Sequence, residues 1–69
     1  MKISARNTFK GTVKKVVVGE VNAEITLEIA PGVEIVSVIT KSSAETLGVT
    51  EGKEAYAVIK STDVIIATD

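Results

Sequence analysis

Polar and apolar residues alternate along most of this 69-residue chain, and the places where the alternation breaks divide it into elements. From Lys2 to Lys14 the even positions are all polar, among them Ser4, Arg6, Thr8 and Lys10. The odd positions are mostly apolar, with Ile3, Ala5, Phe9 and Val13. A strand sends successive side chains to opposite faces, so this is a strand with one covered face, and Ser4 and Arg6 share its other face. Val16 to Val18 is apolar on both parities, which predicts a bulge or burial on both sides. Gly19-Glu20 reads as a turn. Val21, Ala23, Ile25, Leu27 and Ile29 then alternate with Asn22, Glu24, Thr26 and Glu28, the cleanest strand pattern in the chain.

Pro31-Gly32 ends that strand, since proline has no N–H for the ladder and glycine accepts a positive φ. Val33 to Thr40 is a third strand with apolar residues on both faces, as expected deep in a sheet or at an interface. Lys41 to Leu47 breaks the pattern. Ser42 and Glu45 have capping-box spacing, Ser43 is a second candidate N-cap, and Gly48 is placed to close a short helix. Ala55 to Lys60 forms a fourth strand, Ser61-Thr62-Asp63 a kink, and Val64 to Thr68 a fifth strand. The β-branched residues that dominate the chain support this reading. The expected fold is all-β with one short helix, an OB-like five-stranded barrel in a single domain over residues 1–69.

Composition narrows the chemistry. The chain has no Cys and no His, which removes disulfides, thiol nucleophiles, zinc fingers and imidazole acid–base catalysis. The carboxylates are scattered, and the glycines match no phosphate-binding loop. Catalysis is not expected, and neither is a cofactor. Eight basic against nine acidic residues give a net charge of −1, which lacks the basic field that a general nucleic-acid binder needs. One Phe, one Tyr and no Trp leave few surfaces for stacking bases. No apolar run is long enough to span a bilayer, and the N-terminus turns polar at once, so a cytoplasmic protein without a membrane partner is expected. A 45% apolar chain of this length cannot hide all its apolar surface alone, so it should bury the surplus against copies of itself.

Three segments stand out as donors to an anion. Arg6, the one arginine in the chain, sits beside Ser4; Lys60-Ser61 closes the fourth strand; and Thr40-Lys41-Ser42-Ser43-Ala44 opens the helix, where backbone N–H groups are free. None of the three contains a carboxylate. Each also has an ordinary reading: Arg6 and Lys60 as solvated strand charges, Ser42 and Ser43 as helix caps. Asn7, on the apolar parity, fits a bulge or turn as readily as a functional role. Gly11 fits a crowded bend in the sheet.

At Ser4-Ala5-Arg6-Asn7, followed by Phe9-Lys10-Gly11-Thr12-Val13, the chain resembles the molbindins, small proteins that bind molybdate and tungstate. The resemblance continues through Val21-Asn22-Ala23-Glu24, Ile39-Thr40 and Ala44 to Gly48, and ends at Ala57-Val58-Ile59-Lys60-Ser61-Thr62-Asp63-Val64. It implies dimers that exchange a strand and assemble three to a hexamer. It also implies an oxyanion site between subunits made by Ser4, Arg6, Thr40, Ser43, Ala44, Lys60 and Ser61. A second kind of site, near a threefold axis, maps to Gly19, Val21 and Asn22. The role it implies is intracellular storage or homeostasis of molybdenum, with no metal ligand from the protein. A nucleic-acid-binding OB domain and a purely structural oligomerisation module are the competing readings.

Overall fold

The computed structural model describes residues 1–69. Four antiparallel strands, β1 (Asn7–Val18), β2 (Asn22–Ala30), β3 (Val33–Thr40) and β4 (Glu54–Ile59), form one sheet in the order β3-β2-β1-β4. A short helix, α1 (Lys41–Leu47), joins β3 to β4, and a 3-10 turn spans Ser61–Asp63. The alternation in β2 translates directly into burial. Ala23, Ile25 and Leu27 are buried, together with Val13 of β1 and Ala44 of α1, and these five residues are the whole core. Both central strands are paired on each side, which is why the strand with the clearest period also has the clearest inside.

Three local features shape the sheet. The register between β1 and β2 slips by one residue at Lys14, between the pairs Val13↔Leu27 and Lys15↔Thr26. This is the bulge, and it lies before Val16–Val18 rather than within that run. It brings Val16 opposite Ile25, half-buried against the core, while Val17 and Val18 both stay exposed. Gly11 is required by close approach: a Cβ there would be driven into the backbone carbonyl of Glu28. The helix is capped by Thr40, whose hydroxyl accepts from the Ser43 amide at 3.0 Å, and not by Ser42 or Ser43. It ends at Gly48, in the left-handed region (φ 67°), where the Gly48 and Val49 amides donate back to Glu45 and Ala44. Those paired bonds form a Schellman closure.

The strand boundaries depart from expectation at both termini. β1 begins at Asn7 rather than Lys2, and Val64–Thr68 pairs with nothing in its own chain, so the sheet has four strands and not five. Strand-forming residues become a strand only where a partner strand lies alongside them. The 33 backbone–backbone hydrogen bonds fall short of the ~45–50 typical of 69 residues. The shortfall matches the unpaired outer edges of β3 and β4 and the two terminal segments. The sheet curls into a half-barrel in which Ile35 and Ile39 of β3 face Ala55 and Ala57 of β4 across an apolar groove floored by Ile25 and Leu27. Outside it, Val38 is 62% exposed, Ile65 91% and Ile66 83%. A single copy therefore leaves uncovered a large part of the apolar surface that normally drives folding.

Candidate functional site

The antiparallel pairing of β1 with β4 positions the first group of candidate residues. Asn7, the first residue of β1, lies opposite Ile59, the last of β4. The segments just outside this pair, Ser4-Ala5-Arg6 and Lys60-Ser61-Thr62, therefore leave the sheet side by side. Together they line a single open cavity of 370 Å³, with no carboxylate among its six residues. Ser4, Arg6, Lys60 and Ser61 are brought together as the sequence predicts, although Ser4 and Arg6 are not on a strand. Thr62, which sequence reasoning passed over, joins them, and its place in the closing Lys-Ser-Thr motif was the signal that could have found it.

The groups in this cavity are donors. The ion pairs of the protein lie elsewhere, Lys10 with Glu54 at 3.2 Å and Lys14 with Glu28 at 3.7 Å, so Arg6 and Lys60 carry uncompensated positive charge. The hydroxyls of Ser4, Ser61 and Thr62 add donors. The 3-10 turn makes its first bond from the Asp63 amide to the Lys60 carbonyl, at 2.9 Å, leaving the Ser61 and Thr62 amides at its open start. A fully deprotonated tetrahedral dianion accepts hydrogen bonds and donates none, and this set suits it. A carboxylate here would repel the dianion and favour a protonated one instead.

The helix start presents a different surface at the opposite end of the sheet. Thr40 lies opposite Asn22, beside the Val18 end of β1. The 12 residues of β1, each adding ~3.3 Å along an extended strand, separate the two surfaces. Several groups here are already engaged. The Thr40 hydroxyl donates to the Ser43 oxygen at 2.8 Å and accepts from the Ser43 amide, which leaves it nothing to donate outward. The Ser43 hydroxyl, which accepts that bond, keeps its own proton for an external partner. Ala44 is buried under the helix, and as the fourth helical residue its amide has an acceptor in the preceding turn. The Lys41 amide donates to the Val21 carbonyl at 2.7 Å.

Gly19 and Val21 belong to the β1–β2 turn and Asn22 begins β2; the turn is closed by the Gly19 amide on the Asn22 carbonyl at 2.7 Å. Val21 lines an open depression with Thr40, Lys41 and Ser42, but Glu20 and Glu45 line it too. The helix end is thus mixed in charge, whereas the Arg6–Lys60 end is not. No cluster of acidic side chains in the structure could hold a bare metal ion. No helix is long and apolar enough to cross a membrane.

A curled small sheet, a short helix and an uncovered cavity of donors define a binding module for a small ligand. Residues 3–66 match the TOBE domain family. The chain is 58% identical over 66 residues to molybdenum-pterin-binding protein 3 of Clostridium pasteurianum, covering 96% of this chain and 97% of that one. Among solved structures, MopII from Clostridium pasteurianum superposes with a TM-score of 0.91 at 54% identity, covering 97% of this chain and all of that one. The molybdate-bound cytoplasmic protein ModG superposes with a TM-score of 0.90 at 48% identity; the match takes in 94% of this chain and 46% of ModG. The chain belongs to the TOBE-domain family, among the small Mop-type proteins, the molbindins.

Proposed function

We propose that this chain binds molybdate, or the isostructural tungstate, as an intact oxyanion in pockets completed between copies of itself, and serves molybdenum storage or homeostasis in the cytoplasm. The observation that carries this reading is the donor-only cavity in which Arg6, Lys60, Ser4 and Ser61 converge. Relatives named for binding molybdenum or molybdate share the fold around it. The role is binding rather than catalysis, and residues 1–69 act as one binding unit. The metal needs no protein ligand, because it stays enclosed by its own oxygens while the protein bonds only to those. Selection against sulfate then rests on the size of the closed pocket, since the two anions match in charge and shape.

The same geometry supports assembly. Ser43 and its neighbours lie at the far end of the sheet from Arg6, so a pocket holding both draws its helix start from a second copy. The unpaired Val64–Thr68 segment, with Ile65 and Ile66 exposed, supplies the fifth strand, exchanged onto a partner's open half-barrel. Three such dimers form a hexamer, and Gly19, Val21 and Asn22 contribute a second kind of site where dimers meet. Native mass spectrometry with and without molybdate tests the whole reading. The expected result is a hexamer that gains discrete oxyanion masses. A monomer that gains none would overturn it.

A further inference from the structure

We propose that Asn7 is a positioning residue for the anion pocket: its side-chain amide fixes the separation of Arg6 from Lys60 and so sets which tetrahedral anion fits. The proposal rests on the reading of the Arg6–Lys60 cavity as an oxyanion site and names what regulates its size. Asn7 occupies the covered-face parity of β1, in line with Phe9, Gly11 and Val13, where an apolar residue is expected. Asparagine is also a poor strand former. A residue that fits neither the pattern nor the local propensity has its reason in a specific contact.

That contact is present. The Asn7 Nδ2 donates to the Ile59 carbonyl at 3.2 Å from a half-buried position, whereas the other side-chain link between β1 and β4, Lys10 with Glu54, lies on the exposed face. The carbonyl can only accept, which settles which end of the amide faces it. Asn7 and Ile59 are the terminal register pair between β1 and β4, and β4 is an edge strand. Terminal rungs on an edge are the first to open. Beyond this rung the two strands diverge, one into Ser4-Ala5-Arg6 and the other into Lys60-Ser61-Thr62, the six residues that line the cavity. The Asn7 amide therefore ties together the two walls that carry its positive charges. Asn7 itself is not among those lining residues. Its effect is on how far apart the donors are held, to which a size-selecting pocket is most sensitive.

The test compares wild type with Asn7→Leu, which keeps the branching at Cγ and removes the donor, and with Asn7→Asp, which keeps the shape. Calorimetry is run with sodium molybdate and sodium sulfate on assembled protein whose melting temperature and mass are checked first. The expected result for Asn7→Leu is molybdate affinity weakened by about tenfold with sulfate changed by less than about threefold, so that the preference between the anions narrows. Asn7→Asp, which repels the Ile59 carbonyl and competes for Arg6, weakens molybdate further. Unchanged molybdate affinity in Asn7→Leu overturns the proposal while leaving the site intact. Equal losses for both anions, or failure of both variants to fold, also overturn it, because they assign Asn7 to the fold alone. Wild type that binds no molybdate removes the oxyanion reading itself, and this proposal with it.

Discussion

At the Asn7 end of the sheet, the groups facing the cavity are hydroxyls, amides, a guanidinium and an ammonium, and none is ion-paired. At the Val18 end, the helix start offers similar residue types, yet most are occupied: Thr40 and Ser43 bond to each other, the Lys41 amide bonds to Val21, and Glu20 and Glu45 sit nearby. Similar sequence chemistry thus yields one end rich in free donors and another already committed to its own backbone. The difference is topological. Two chain segments leave the sheet together at the first end and need no internal partner, while a helix start must satisfy its own amides before anything else. On the proposed reading, the first end attracts an anion, and the second, from a partner copy, closes over it with the Ser43 hydroxyl and little more.

The largest way to disturb this comparison is to remove what connects the ends. Leu27 lies at the middle of β2 beneath both, and Leu27→Ala should lower stability by about 2–5 kcal/mol, read as a lower urea midpoint. Both ends should be lost in the same transition. Next, Arg6→Ala should weaken molybdate binding about tenfold or more, since a charge-assisted fork contributes roughly 1.5–3 kcal/mol. Unchanged calorimetric affinity there would remove the asymmetry between the ends. Thr40→Ala should cost about 1 kcal/mol of stability through the lost cap. It should also weaken the anion only modestly, because its hydroxyl already donates to Ser43. A loss as large as that of Arg6→Ala would place Thr40 against the ligand. The smallest effect belongs to Lys10, outside both ends. Its hydrogen bond and attraction to Glu54, with the nearby Tyr56, hold its pKa above the ordinary 10.5. That contribution is complete below pH 10.5 and is lost as pH rises through the higher folded value. Urea midpoints should therefore dip slightly in strong alkali, and Lys10→Met should flatten the dip.

What could be read from residues alone follows the same divide. β2 was legible because one face is buried and the other is wet, so its period of two records burial directly. Gly48 was legible because a helix closing in the left-handed region favours glycine. Val64–Thr68 looked like a strand because its residues are strand formers, but a strand also needs a partner alongside, and this segment pairs with neither open edge of its own sheet. The helix cap was misplaced because Ser42, Ser43 and Thr40 are all competent caps, and the choice was made by where β3 ends. The Arg6–Lys60 cavity was legible only as residue types. Their convergence comes from the register Asn7↔Ile59, which no local pattern encodes.

The distance between Arg6 and Ser43 along the sheet carries a consequence for how such a protein handles its cargo. If two chains must meet before a pocket exists, occupancy scales with the total amount of protein as well as with free anion, and each bound ion in turn rewards association. Dilution would then release the anion with no change in any single chain, and a cell making more of the polypeptide would acquire tighter retention as well as more capacity.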